Sequence, residues 1–144
     1  MPEQLWAVPR YFAFYQFPTK VVPRPDGRPT VWRFSVDTGG WDREQDALIE
    51  IESNSRAEVS RLDKDGFIQL TESFRSQYVQ DVPPAIKALY ETVEAILDQA
   101  RAERRRLTAE ENAMVTGLRR RTYAMFEREL ANRGDPGADP SPES

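Results

Sequence analysis

Proline is the residue that most constrains the fold of this chain, because its ring fixes φ and removes a backbone N–H donor. Six of the 11 prolines lie within the first 30 residues, two stand together at Pro83 and Pro84, and the last three lie beyond residue 135. The stretch between Pro84 and Pro136 contains no proline and is rich in Ala, Glu, Leu and Arg, which favour helices. The proline pattern therefore predicts a non-helical first half and a helical second half.

The first half carries the alternation and turn signals of β-strands. Residues 11–17 are nearly all aromatic, on both faces of the pleat, which predicts one central strand covered on both sides. Residues 30–36 alternate and predict a half-buried strand, and residues 37–40 predict a hairpin turn into Trp41. Residues 46–51 fit either a short helix or a strand, with Asn54 and Ser55 as the break that follows.

Two more strands are predicted before the helical half begins. They cover residues 58–62 and 67–70 and are joined by a turn at residues 63–66. A short helix follows at about residues 72–79. Residues 1–81 are therefore expected to form an antiparallel β-rich subdomain.

The second half predicts a hairpin of two helices over residues 82–134, with one single bent helix as the alternative. The first helix, residues 84–107, begins at the proline pair and carries an apolar stripe of Ile86, Leu89, Tyr90, Val93, Ile96, Leu97 and Ala100. In the second, residues 109–131, Thr108 and Glu111 form a capping box and Gly134 fits the C-terminal cap. Its stripe consists of Met114, Val115, Leu118, Thr122, Met125, Phe126 and Leu130.

The last residues differ in composition from everything before them. Residues 135–144 are Asp, Pro, Gly, Ala, Ser and Glu, which cannot form a core and are expected to be disordered. The predicted fold class is α+β: a small antiparallel β-sheet over about residues 10–70, followed by a long C-terminal α-helical hairpin.

Composition excludes much chemistry. The chain has no Cys and no His, which removes disulfides, thiolate nucleophiles, the commonest general base and the commonest metal ligands. No apolar run approaches the ~20 residues of a membrane helix, and no signal peptide is visible, so a cytoplasmic protein without a membrane partner is expected. No catalytic residue, cofactor or metal ligand is assigned.

Residues 61–72 are similar to the EF-hand calcium loop. The matching positions are three, five, six, eight and twelve, and the residues there are Asp63, Asp65, Gly66, Ile68 and Glu72. Position one is Arg61, a cation that repels calcium. The sequence therefore favours a tight turn followed by a helix capped by Thr71.

An aromatic segment and a group of carboxylates are two further candidate sites. Residues 10–17 resemble the aromatic octapeptide of RNA-recognition-motif domains at Arg10, Phe12, Ala13, Phe14 and Phe17. Only nine residues precede this segment, too few for the strand, helix and strand that come first in that family, so burial in a sheet is expected. The carboxylates in residues 37–52 lack the lysine spacing of metal-dependent nucleases and are expected to be exposed acids.

Charge is concentrated in the helical half. Residues 82–134 carry 10 basic and 8 acidic side chains, whereas the whole chain is at −4. The basic excess comes from two clusters, whose candidate phosphate contacts are Arg101, Arg104, Arg105, Arg119, Arg120 and Arg121. Salt bridges on a solvated surface are the competing interpretation.

Length and amphipathicity favour a non-enzymatic, intracellular protein-interaction module, such as an adaptor, accessory subunit or inhibitor. Two long helices cannot bury both stripes on each other alone. The hairpin is therefore expected to dock on the sheet, to meet a second hairpin in a homodimer, or to receive a helix from a protein partner. The candidate contact residues are Met114, Leu118, Met125 and Phe126. A nucleic-acid-binding accessory protein is the alternative, and a metal-dependent enzyme or calcium module is a third.

Overall fold

The computed structural model describes residues 7–53 and 58–143, so Asn54 and Ser55 lie outside the described residues. Within the described ranges the chain forms five strands and four helices. The strands are β1 Arg10–Phe14, β2 Phe17–Val22, β3 Thr30–Phe34, β4 Trp41–Arg43 and β5 Val59–Leu62. The helices are α1 Ala47–Ser53, α2 Lys64–Tyr78, α3 Pro84–Ala102 and α4 Ala109–Asn132. The α+β class, with a sheet followed by long C-terminal helices, is confirmed.

The strands form one antiparallel sheet in the order β4-β3-β2-β1-β5. The first four strands follow one another as a meander, and β5 returns to pair with the free side of β1. Strand β1 therefore lies inside the sheet, and Phe12 stands opposite Thr19 on one side and Arg61 on the other.

The prediction of one strand over residues 11–17 is wrong, because this segment is a hairpin. Tyr15 and Gln16 both have positive φ, at 49° and 72°, and connect β1 to β2 as a two-residue turn. Non-glycine residues rarely adopt such angles, so the sequence carried no turn signal. Two hydrogen bonds hold Tyr15 in place: its N–H donates to the Glu58 carbonyl at 2.9 Å, and its hydroxyl donates to Glu50 at 2.8 Å.

The sheet is covered on both faces, as the aromatic residues of β1 predicted. One face packs on α1 through a cluster that contains Phe12, Phe14, Val21 and Val31. The other face packs on α2 and α4 through a larger cluster, whose buried aromatic members are Phe34, Trp41, Phe67, Tyr90, Tyr123 and Phe126.

The predicted strand at residues 67–70 is also wrong, since these residues belong to α2, and so is the predicted helix start at Thr71, which lies in the interior of α2. Asp63 is its N-cap and accepts a hydrogen bond from the Gly66 N–H at 2.7 Å. The buried face of α2 has helical spacing and consists of Phe67, Ile68, Thr71, Glu72 and Arg75. The last three of these residues are polar. Because polar residues occupy core positions, the hydrophobic pattern concealed the helix.

The helical hairpin is present as two separate helices. Pro84 lies at the start of α3, and residues 103–108 separate α3 from α4. The Thr108–Glu111 capping box is formed in both directions. Helix α4 ends at Asn132 with Arg133 as its C-cap, and Gly134 is the residue after the cap. The φ of Gly134, 84°, lets the next N–H, that of Asp135, donate to the Leu130 carbonyl at 2.9 Å.

Residues 135–143, for which composition predicted disorder, pack on the body of the protein. Asp135 accepts a hydrogen bond from the Trp41 backbone N–H at 3.2 Å. Gly137 is buried, and a Cβ atom there would lie 2.5 Å from that of Trp41 and 3.0 Å from the ring of Trp32. A few polar anchors and one close glycine contact replace the apolar side chains that composition would require.

Among the described residues, no helix combines the length and apolar character needed to cross a bilayer.

Replacing Gly137 by Ala should dislodge the C-terminal segment, because the added methyl group would overlap Trp41 and press on Trp32. We expect the free energy of unfolding to fall by about 1–3 kcal/mol, the usual cost of overpacking, with a change in tryptophan emission. Gly117→Ala is the matched control: nothing lies within 4 Å of a Cβ there, and alanine should add about 0.5–1 kcal/mol within a helix. Equal denaturation curves for Gly137→Ala and wild type would contradict this packing.

Candidate functional site

Three charged side chains with no exposure to solvent meet where α2, α4 and the β3–β4 turn come together. Arg75 pairs with Glu72, three residues earlier on α2, at 2.8 Å, and with Glu127 on α4. Its Nε also donates to the Gly39 carbonyl at 2.8 Å. All three side chains are 0% exposed, so one guanidinium joins two helices and the sheet inside the core.

The two carboxylates of this cluster accept further hydrogen bonds. The Tyr90 hydroxyl donates to Glu72 at 2.7 Å. The Trp41 indole N–H donates to Glu127 at 3.2 Å, and the Asp139 backbone N–H donates to the same carboxylate at 2.7 Å. The cluster therefore also ties α3, β4 and the C-terminal segment to the core.

Burial and charge shift the pKa values of these groups. Burial raises the pKa of Glu72 above its ordinary value even though Arg75 opposes the shift. For Arg75 burial works toward a lower pKa, but Glu127 and Glu72 outweigh it and the pKa is raised. The pKa of the Tyr90 hydroxyl is raised by burial and by Glu72. The arginine consequently stays charged, and the tyrosine stays a hydrogen-bond donor.

Buried titratable groups with shifted pKa values are where a catalytic centre is first sought. Here no substrate could reach the reacting atoms, since Glu72, Arg75 and Glu127 have no solvent exposure. Each carboxylate is also committed to a protein donor. The cluster therefore fits a structural role, and sequence reasoning did not foresee it.

Lys20 is a second buried charge, on the face of the sheet that packs on α2 and α4. It is 4% exposed, and its ammonium group lies 4.4 Å from the centre of the Trp41 ring, which favours a cation. Burial lowers its pKa to about 8, although Glu127, Asp139 and Asp135 act in the opposite direction.

The outer side of the helical hairpin is exposed and partly apolar. We use the name outer hairpin face for five side chains on α3 and α4: Leu89, Ile96, Met114, Leu118 and Met125. Met114 is 56% exposed and the other four are half-buried. The α4 members are spaced by four and seven residues, which places them on one side of the helix.

This face is open because α3 packs mainly on α4, and α4 packs on α2 with its opposite side. A groove of about 500 Å³ runs along it beside Ile96 and Met114, between the small side chains Ala88, Thr92 and Ala95. Three of the four predicted contact residues therefore lie together on an accessible surface. The fourth, Phe126, is 0% exposed and belongs to the core, so no partner can touch it.

The six candidate phosphate-binding arginines do not form one surface. Arg101 and Arg105 lie near the hairpin connection and pair with carboxylates, Arg101 with Asp98 at 2.7 Å and Arg105 with Glu111 at 2.7 Å. Arg104 is exposed nearby and has a φ of 54°. Arg104 and Arg105 occupy the end of the hairpin, whereas Arg101 reaches the cavity that Arg119 also lines.

The three consecutive arginines of α4 point in different directions. Arg119 is half-buried at a cavity of about 490 Å³ between α2, α3 and α4, and burial lowers its pKa. Arg120 pairs with Asp65 at 2.8 Å and thereby lowers the pKa of that carboxyl. Arg121 points outward beside Met125.

A second groove, of about 750 Å³, lies between the start of α2, α4 and the C-terminal segment. We call it the basic groove. Its lining residues are Lys64, Asp65, Ile68, Arg120, Arg121, Ala124, Met125, Arg128, Pro142 and Glu143. It shares Met125 with the outer hairpin face, so the two surfaces are continuous along α4.

The residues that resemble the calcium loop and the aromatic octapeptide have structural roles here. Asp63 caps α2, and Glu72 is bound to Arg75 in the core, so the calcium-loop carboxylates do not converge. Among the described residues, no three acidic side chains are grouped so that they could hold a metal ion. The aromatic octapeptide spans the β1–β2 turn, and Phe12 and Phe14 are buried rather than available for base stacking.

Arg75→Met should lower the free energy of unfolding by about 3–5 kcal/mol, because it leaves the Glu72 and Glu127 carboxylates buried without a cation. The measurement is urea denaturation. Arg24→Met is the matched control, since the Arg24–Asp26 pair at 3.0 Å is exposed and should be worth less than about 1 kcal/mol. Adding Glu127→Gln to Arg75→Met should restore part of the stability by removing one unpaired charge, and equal losses for Arg75→Met and Arg24→Met would refute this role.

Stability should rise with pH through the range in which Lys20 titrates. The folded-state pKa of Lys20 is about 8, below its ordinary 10.5, so the unfolded chain binds more protons between these values. The free energy of unfolding should therefore increase by about 1–2 kcal/mol from pH 7.5 to 9.5. Above pH 10 the half-buried Tyr11 opposes this, because burial raises the pKa of its hydroxyl to about 12 and the folded chain then holds a proton that the unfolded chain loses.

The control for this titration is Lys20→Met, which keeps the length of the side chain and should flatten the pH dependence in that window. The charged and titratable groups near Lys20, namely Glu127, Asp139, Asp135 and Arg75, are unchanged in the variant. The same slope in both proteins would show that Lys20 is not its source.

Comparison of the chain with protein-family models, curated protein sequences and solved structures found no match. The function of this protein therefore has to be inferred from its own residues.

Proposed function

We propose that this protein is a non-enzymatic interaction module that binds a partner protein through the outer hairpin face. The observation that carries the proposal is the exposure of Met114, at 56%, in line with the half-buried Leu118 and Met125. Apolar area of this kind gains about 25 cal/mol per Å² when a partner removes it from water. Flexible methionines also suit a contact surface, because they adapt to the shape of the partner.

The charges beside this face favour a different protein over a second copy of the chain. On α4 the exposed row continues at the same spacing from Met114 and Leu118 to Arg121, Met125 and Arg128. The row contains no acidic residue, and Arg121 has no ion pair among the described residues, whereas Arg128 pairs with Glu143. Two copies that met through the row would therefore bring their Arg121 charges together. A partner with acidic residues around an apolar strip complements the row.

Binding to nucleic acid through the arginines is the second candidate. It is less well supported, because Arg101, Arg105 and Arg120 already pair with carboxylates. Phosphate binding would have to break these pairs, and it would show a steep loss of affinity with salt.

The test is site-specific photo-crosslinking in the native host. A photoreactive amino acid at position 114 or 118 should give one discrete adduct with another polypeptide. The matched control is position 49 on α1, because Ile49 is also an exposed apolar residue, at 74%, and lies on the opposite face of the sheet. Met114→Glu should abolish the adduct formed from position 118, since it places a charge in the contact.

The outcomes separate the candidates. The same adducts from positions 114 and 49, or none from either hairpin position, would contradict the proposal. An adduct with a second copy of this chain would replace the partner by a homodimer. Loss of the adduct after nuclease treatment would instead favour the nucleic-acid alternative.

A further inference from the structure

The basic groove carries more positive than negative charge. Four cations line it, namely Lys64, Arg120, Arg121 and Arg128, against the carboxylates of Asp65 and Glu143. Three of the cations already have an acidic partner. Arg121 forms no ion pair within 4 Å anywhere in residues 7–53 and 58–143, although it lines the groove.

The floor of the groove is apolar. Ile68 is 7% exposed and Ala124 is 6% exposed. Met125, which also belongs to the outer hairpin face, is half-buried. A site with an apolar floor and a rim of guanidiniums fits a peptide that carries both carboxylates and apolar side chains.

The chain's own C-terminal segment is seated at one end of this groove. The Glu143 carboxylate pairs with Arg128, and Pro142 lines the groove. Lys64 pairs with Asp139 at 3.1 Å and donates to the Ser141 carbonyl at 3.3 Å. An acidic, non-helical segment is therefore accommodated here by the molecule itself.

We propose that the basic groove binds an acidic segment of the partner protein, and that residues 140–143 occupy one end of the groove until that segment displaces them. The inference rests on the proposed function, because Met125 belongs to both surfaces. It adds the chemistry of the partner and a competition between the partner and the C-terminal segment.

An acidic protein segment fits this groove better than a nucleic acid does. The buried floor of Ile68 and Ala124 offers a contact that a phosphate backbone would not use.

The experiment compares the full chain with a chain that lacks residues 140–144. The shortened chain keeps the anchors Asp135, Gly137 and Asp139, so its fold is expected to be retained. The probe is a fluorescein-labelled peptide that contains two tandem copies of the sequence of residues 139–144. Its binding is measured by fluorescence anisotropy at low ionic strength.

We expect the peptide to bind the shortened chain at least roughly tenfold more tightly than the full chain, because the tethered segment has a high effective concentration at its own site. Arg121→Glu and Arg128→Glu in the shortened chain should each weaken binding by roughly tenfold or more, since they reverse a charge on the rim. Arg24→Glu is the matched control, an exposed arginine outside the groove, and should change little. Full-length Gly137→Ala should bind like the shortened chain, because it releases the segment without deleting it.

Several results would overturn the inference. The first is that the peptide does not bind the shortened chain, and the second is that it binds both chains equally. The third is that Arg24→Glu weakens peptide binding as much as Arg121→Glu does. Tighter binding of a labelled 12-nucleotide single-stranded DNA than of the peptide would make the groove a nucleic-acid site. The crosslink from position 114 does not depend on the groove, so its persistence beside a negative peptide result would reject this inference while leaving the proposed function intact.

Discussion

The buried guanidinium of Arg75 is the interaction on which the arrangement of the other elements depends. It binds the Gly39 carbonyl of the sheet, Glu72 of its own helix and Glu127 of α4. It also lies 4.2 Å from the centre of the Phe126 ring. Burying a charge is costly unless it is paired and hydrogen-bonded, and the positions of the sheet, α2 and α4 supply this arginine with those partners.

Fixing α4 in this way divides it into a side that is buried in the core and a side that is exposed. Tyr123, Phe126 and Glu127 point into the core and have no solvent exposure. Met114 and Arg121, on the other side, contribute little to the packing and are exposed. Because the internal contacts hold the helix, substitutions of Met114 or Arg121 should change the free energy of unfolding little. Under the proposed function, they should change partner binding more than stability.

Local signals in the sequence predicted the parts of the fold that local physics determines. Thr108 and Glu111 specify a helix start through hydrogen bonds three residues apart, and Gly134 specifies a helix end through its φ. The parts that were predicted wrongly depend on distant partners. The Tyr15 turn is held by Glu50 and by the Glu58 backbone, which no reading of residues 11–17 includes.

The same reasoning explains why α2 and the C-terminal segment were misjudged. Glu72 and Arg75 occupy core positions only because Glu127 and Tyr90 arrive from other helices to satisfy them. The C-terminal segment has few apolar side chains, yet Asp139 finds the hydroxyl of Tyr123 at 2.9 Å. Composition and hydrophobic pattern measure apolar area but not the availability of polar partners. The start of α2 was therefore predicted as a strand, and the C-terminal segment was predicted as disordered.

The candidate contact residues show the same limit at the scale of one helix turn. Helical spacing grouped Met114, Leu118, Met125 and Phe126 into one stripe, and that stripe covers more than one side of α4. Phe126 directly follows Met125, so its side chain is rotated by about 100° around the helix axis. This rotation places Phe126 in the core. Which part of a broad apolar stripe remains exposed is decided by the helix that packs on the other part, here α2 through its contacts with α4. Sequence alone can therefore supply the residues of an interaction surface, whereas its boundary is set by tertiary packing.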